Sequence, residues 1–180
     1  VKISYALTPM VATARIIKKE HPDAKVVFIG PCASKKLEAS RRTIRSDVDF
    51  VITFEELTGM FEARGILLPQ IEALDKLSGA TGAGRGYGVA GGVASAIEEC
   101  VREYYPDVEV NIEHAESLSE CKKMLMLAKA GKKKGCLIEG MACPGGCVAG
   151  AGTNIAISQA AKAVAGFKAA AAQKIPEPES

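Results

Sequence analysis

The chain has 180 residues, 48% of them apolar and 24% charged, with a formal net charge of +2. That supports a core of its own and one compact unit, at most two lobes, since domains run to roughly 100–200 residues. It lacks the clustered basic excess of a nucleic-acid binder, no apolar run approaches the roughly 18 residues of a membrane span, and the segment beginning at Val1 is not expected to be a signal peptide.

Taken in chain order, helix and strand signals alternate. Thr8-Pro9 is a helix start, with a stripe of Met10, Ala14 and Ile17 running to His21-Pro22. Lys25 to Ile29 and Asp47 to Thr53 read as buried strands. Thr53 with Glu56 makes a capping box for a helix carrying Leu57, Met60 and Phe61 and closed by Gly65. Periodicity then stops until Ala90, and seven of the fourteen residues Gly79 to Gly92 are glycine. Helix resumes at Gly92 with Val93, Ile97 and Val101 and ends near Tyr105-Pro106. Val108 to Ile112 reads as a third strand. Ser117 and Glu120 cap a helix through Met124, Leu125 and Ala128 to Gly131. Gly135 to Glu139 is a fourth strand, and after a Cys/Gly loop Thr153 caps an Ala-rich helix. Strands separated by helices require crossovers. The expectation is an α/β fold, a mostly parallel sheet of about four strands flanked by helices, as one lobe over residues 1–173 with a solvated tail at 174–180.

Chemistry concentrates in two segments. Glu139 to Gly152 holds Cys143 and Cys147 around a Pro-Gly-Gly turn, so both thiolates can face one centre with backbone amides free to donate to sulfur, as an iron–sulfur cluster requires. Zinc lacks a second pair of ligands in this sequence. Gly30-Pro31-Cys32-Ala33-Ser34-Lys35-Lys36-Leu37-Glu38 follows the first strand. Cys32 therefore falls at the carboxyl end of a parallel strand, as Cys143 and Cys147 do, and ligands gather on that edge of open α/β sheets. Lys35 can turn its ammonium toward anionic ligands there. Cys100, Cys121 and Cys136 sit singly in apolar segments and read as small buried hydrophobes. Gly86-Tyr87-Gly88-Val89-Ala90-Gly91 fits G-x-G-x-x-G before a helix, but no strand precedes it, so a dinucleotide site is not expected. His21 and His114 are isolated and read as surface or strand-end residues.

Together these segments resemble the active-site domain of FeFe-hydrogenases. Pro31-Cys32-Ala33-Ser34-Lys35-Lys36-Leu37-Glu38 is similar to that family's P-C-x-x-K-x-x-E, and Glu139 through Gly150 to its E-x-M-x-C-x-x-G-C-x-x-G. Ser78 to Val93 looks like its S-G-A-G…F-G-x-T-G-G-V stretch. The resemblance implies a 4Fe-4S cubane bridged to a di-iron subsite bearing CO, cyanide and a dithiolate. It implies that Cys32 and Cys143 bind the cubane and Cys147 bridges the two parts. Lys35 would hydrogen-bond a cyanide. Pro31 and Met141 would pack beside the di-iron subsite, with Tyr87 in its wall, and Thr8-Pro9-Met10 would approach from the first helix. Ser4 aligns with a serine of the family's proton path.

Departures accompany the matches. The family's T-S-C-C-P motif, which supplies the fourth cubane cysteine and the proton-donating cysteine, is expected upstream of Val1. Gly30 stands where fast members carry Met, Met10 where they carry Gln, Tyr87 where they carry Phe and Ala90 where they carry Thr. Ala151 interrupts the final glycine run. By resemblance these changes point toward a sensory or divergent branch. The expected function is a fragment of a cytoplasmic hydrogenase interconverting hydrogen with protons and electrons. The fragment itself is expected to be inactive, its cofactor absent or incomplete, and its partners the remainder of the hydrogenase chain and a ferredoxin-like carrier or N-terminal iron–sulfur domains. A hydrogen sensor and a non-catalytic iron–sulfur protein of the cytosolic assembly type are the alternatives, and Lys35 and Met141 speak against the second.

Overall fold

The computed structural model describes residues 1–72 and 79–178. The Ser78 end of the glycine-rich stretch lies outside them. The chain divides into two compact units, one of Lys2–Glu72 with Gly150–Asn154, the other of Ala73–Ala149 with Ile155–Ser180. The class is α/β, and among the described residues every strand pairing is parallel. The four strands, expected in a single sheet, are hydrogen-bonded two by two, one pair in each unit.

In the N-terminal unit, α1 (Pro9–Glu20) starts on Pro9, whose ring fixes a helical φ where no N–H is needed. It buries Met10, Val11 and Ala14 against Ile44 and Val48, with Val26, Phe28, Ala39 and Val51 packed around them. Strands β1 (Val27–Ile29) and β2 (Phe50–Ile52) pair Val27 with Phe50 and Ile29 with Ile52. Both are shorter than the apolar runs that announce them. Asp49 breaks the ladder by accepting from the Val26 amide with its side chain, at 2.8 Å, while its own amide donates to the Val26 carbonyl. Between the strands lies a short helix, α2 (Ser34–Ala39), whose six residues are too few to show a helical period in sequence. The helix α3 (Phe54–Ala63) carries the expected capping box, and Gly65 follows it at φ +66°.

The C-terminal unit opens with a four-residue helix, α4 (Gly82–Arg85), a 3-10 turn over Gly86–Gly88, and α5 (Gly92–Tyr104). The glycines let backbone meet backbone here: a Cβ on Gly92 would lie 2.1 Å from the Gly86 carbonyl oxygen. Strand β3 (Asn111–Glu116), helix α6 (Leu118–Lys129) and strand β4 (Cys136–Met141) form a β-α-β unit, in register from Asn111↔Cys136 to Glu116↔Met141. The third strand lies C-terminal to the expected Val108 to Ile112, because a turn closed by Val108 N on the Tyr105 carbonyl takes up the first of those residues.

The last helix, α7 (Ile157–Ala169), is not capped by Thr153. Its cap is Ala156, with no side-chain bond. Gly150–Asn154 is committed elsewhere: the Asn154 amide donates to the Phe54 carbonyl and to Thr58 Oγ1 at 2.7 Å. Of the expected solvated tail, Lys174 and Pro176 to Pro178 are exposed, yet the backbone there is anchored. The Lys174 carbonyl accepts from Ala83 N at 2.7 Å, and the Pro176 carbonyl from the Tyr104 hydroxyl at 2.7 Å.

Candidate functional site

The predicted residues fall into both units. Thr8, Pro9, Met10, Pro31, Cys32 and Lys35 lie in the N-terminal unit, and Tyr87, Met141, Cys143 and Cys147 in the C-terminal one.

In the N-terminal unit, β1 ends at Ile29 and Gly30 N still donates across to the Ile52 carbonyl. Pro31 and Cys32, both half-buried, then turn the chain into α2, and Lys35 N donates to the Cys32 carbonyl at 3.2 Å. The Pro31 carbonyl accepts from Gly152 N at 2.9 Å, so its loop has a fixed backbone partner. A Cβ on Gly152 would lie 2.4 Å from that of Thr53, which explains a glycine there. Lys35 is no solvated lysine: its ammonium sits 2.5 Å from Glu38 Oε2, while Thr8 Oγ1 donates to Glu38 Oε1 at 2.5 Å. Burial raises the Glu38 carboxyl pKa, but the bonds from Lys35 and Thr8 and the charges of Lys35 and Arg41 outweigh it, leaving the group below its ordinary value. An ammonium has three donors, so Lys35 keeps donors for a further anion. Thr8 thus spends its hydroxyl on Glu38 rather than on capping α1. Pro9 is exposed, and Met10, expected near a cofactor, is a core residue at 5% exposure.

In the C-terminal unit, β4 delivers the chain through Met141 into the cysteine loop. Gly146 N donates to the Cys143 carbonyl at 3.0 Å, with Pro144 at the second position and Gly145 at φ +93°, the pattern of a type II turn. Cys143 is half-buried and Cys147 exposed. The turn is wedged against the glycine-rich stretch. Ala90 N donates to the Gly145 carbonyl at 3.1 Å, and a Cβ on Gly146 would lie 2.4 Å from Ala90 N. The expectation that the turn's amides are free for sulfur needs correcting at two positions. Gly146 N closes the turn, and Gly145 N donates to Glu116 Oε2 at 2.7 Å.

Glu139, which opens this motif, accepts from Ala94 N at the start of α5, where a carboxylate is favoured by the helix dipole. Its other oxygen is buried and has no hydrogen-bond partner among the described residues. Tyr87 is half-buried in the 3-10 turn before α5. Cys100, Cys121 and Cys136 are half-buried rather than buried, and Cys121 Sγ contacts the Ala115 and Met141 carbonyls.

Among the described residues no disulfide forms, and no three His, Cys, Asp or Glu side chains are grouped to hold a metal ion. The donor set at Cys143 and Cys147, two thiols flanking a turn that admits no side chain at Gly146, fits two ligands of an iron–sulfur cluster. Glu38 and Glu116 were not singled out by sequence reasoning. Glu38 closes the lysine motif and so had a signal in its spacing. Glu116 had only its place just before a capping box.

The model of the family "Iron only hydrogenase large subunit, C-terminal domain" matches residues 1–151. The periplasmic Fe hydrogenase large subunit of Nitratidesulfovibrio vulgaris is 30% identical over 175 residues, covering 79% of this chain and 42% of that protein. Iron hydrogenase 1 of Clostridium pasteurianum is 28% identical over 166 residues, covering 72% of this chain and 29% of that protein. A solved variant of the FeFe-hydrogenase HydA1 from Chlamydomonas reinhardtii superposes with a TM-score of 0.61 at 22% identity, over 90% of this chain and 59% of that one. The chain thus spans less than half the length of these curated relatives. Among the described residues no helix is long and apolar enough to cross a membrane.

Proposed function

The chain belongs to the iron-only hydrogenase large subunits, in their C-terminal domain, and from that premise we propose that it is part of a hydrogenase interconverting hydrogen with protons and electrons. The observation that carries this reading is the Cys143–Cys147 turn at the end of β4, closed by Gly146 on the Cys143 carbonyl and wedged against Ala90. In this reading Cys143 and Cys147 would be thiolate ligands of the iron–sulfur group the family implies, and Cys32, by its match to the family's motif, would be a further one. When bound, that group supplies the electron store and the metal centre at which hydrogen is made or split. Lys35, held by Glu38, would offer its remaining donors to an anionic ligand of the group. Met141 and Tyr87 would supply apolar surface beside it, which excludes water. The proposed setting is cytoplasmic, with a ferredoxin-like electron carrier and the rest of a longer hydrogenase as partners.

Cys32, Cys143 and Cys147 leave the fourth cubane thiolate unsupplied at matching positions, so the chain by itself is proposed to be inactive. The test is anaerobic reconstitution with iron and sulfide, followed by iron determination and electron paramagnetic resonance, then a reduced-viologen assay after adding a synthetic di-iron complex. We expect iron and sulfide uptake that falls sharply in Cys143→Ser and Cys147→Ser, with no hydrogen evolved. Uptake unchanged by both substitutions would overturn the ligand assignment, and turnover like that of an intact hydrogenase would overturn the inactivity.

A further inference from the structure

We propose that Glu116 is a positioning residue for the Cys143–Cys147 turn, and that its carboxylate makes a cluster held there harder to reduce; the second half rests on the cluster reading above. The argument starts at the sheet. Glu116 ends β3 opposite Met141, the end of β4, so both strands release their chains at the same edge. From that edge Glu116 Oε2 accepts the Gly145 amide at 2.7 Å, while Ala90 N donates to the Gly145 carbonyl at 3.1 Å. Gly145 therefore has both of its backbone groups held from outside the turn. Pro144 has no N–H, and the Gly146 amide closes the turn. Glu116 is thus the side chain that anchors the turn's middle.

Glu116 is itself held. Its amide donates to Glu120 Oε2 at 2.9 Å. The next residue, Ser117, sits at φ 79° and ψ 155°, a conformation otherwise close to glycine-only, with its amide on the Met141 carbonyl at 2.9 Å. A residue in such a conformation persists only where its surroundings over-determine it, and here they fix the backbone that aims Glu116 at the turn. Electrostatics gives the consequence. A carboxylate bonded to the turn between two thiolate ligands adds negative charge beside the cluster. It also takes a backbone N–H of the turn, which is then unavailable to sulfur. Both effects favour the oxidised state.

The test uses the full chain. Amide exchange at Gly145, followed by nuclear magnetic resonance, needs no cluster: protection should be kept in Glu116→Gln, which retains an acceptor oxygen, and fall at least tenfold in Glu116→Ala. After reconstitution with iron and sulfide, a potentiometric titration should give Glu116→Gln a reduced-to-oxidised ratio about tenfold higher at fixed potential, a rise of about 59 mV for one electron. Equal Gly145 exchange in wild type and Glu116→Ala would overturn the positioning role. Equal potentials in wild type and Glu116→Gln would overturn the electrostatic one. Failure of the wild type to take up iron would instead sink the cluster reading and with it the electrostatic half, while Gly145 exchange still decides the positioning role.

Discussion

Glu38 serves two neighbours at once, accepting from Thr8 on one oxygen and Lys35 on the other. Its carboxyl is raised by burial and lowered more by those two bonds and by the Lys35 and Arg41 charges, so its folded value lies under the 4.5 of an ordinary glutamate. A depressed acid stabilises the fold at pH values above 4.5, and that stabilisation is lost as pH falls through the folded value. Urea midpoints measured from about pH 6 down to about pH 3 should therefore fall more steeply for the wild type than for Glu38→Gln. Parallel curves would show that Glu38 is not linked to folding. Ser117 invites a second comparison. Ser117→Ala removes the hydroxyl that accepts from Glu120 N, a loss of about 0.5–2 kcal/mol, and leaves the positive φ in place. Ser117→Gly also loses the hydroxyl but relieves a strain of about 1–3 kcal/mol, against a chain-entropy cost of about 0.4–1 kcal/mol. The glycine variant should be the more stable of the two by about 1 kcal/mol in chemical denaturation, and an alanine variant more stable than the glycine one by the full chain-entropy cost would mean Ser117 carries no strain.

Elements differ in how much of themselves they write into local sequence. The α3 start was legible because its signal spans only four residues: Thr53 Oγ1 accepts from Glu56 N, and Glu56 Oε2 accepts from Thr53 N at 2.8 Å. Gly65 and Gly131 were legible for the same reason, each supplying a positive φ just past a helix. The start of α7 was not, since Thr153 has a capping residue's chemistry while the backbone around it is spent on the N-terminal unit. Strand β3 shows the other limit. Its sequence, NIEHAE, has no alternation, and pairing with β4 makes it a strand. The glycines separate the two kinds of element by experiment. Gly59, inside α3, has nothing within 4 Å of an added Cβ, so Gly59→Ala should stabilise by about 0.5–1 kcal/mol. Gly146 has φ +90° and backbone 2.4 Å from an added Cβ, so Gly146→Ala should destabilise by at least about 2 kcal/mol. Calorimetry on the pair checks both signs.

Across the whole chain, the motifs at Cys32, Lys35, Cys143 and Cys147 stand out in sequence because the ligand chemistry proposed for them needs particular residue types at short spacings within each motif, whereas the Glu116 contact to the turn depends on β3 and β4 ending together. The same pairing exposes a thermodynamic weakness. Among the described residues, the buried apolar side chains larger than alanine are Met10, Val11, Ile44, Val48 and Val148. Meanwhile Val27, Ile29 and Phe50 on the paired strands β1 and β2 are 45%, 44% and 61% exposed, and α6 leaves Leu118, Leu125 and Met126 more than half exposed. A two-stranded sheet is marginal by itself, and each apolar side chain left in water forgoes roughly 1.5–3 kcal/mol of burial. With native domains holding only about 5–15 kcal/mol in reserve, the chain without a cluster should lie at or below the bottom of that range. It should also bind a hydrophobic dye such as ANS under native conditions, since its exposed apolar groups are clustered on strands and helix faces rather than scattered. Any group that binds the folded form alone adds stability by mass action, so reconstitution with iron and sulfide should raise the urea midpoint in the wild type and not in a Cys143→Ser, Cys147→Ser double variant. A dye-silent chain with a steep urea transition, unmoved by reconstitution, would mean that the exposed faces cost little and that the cysteine turn draws no stability from iron.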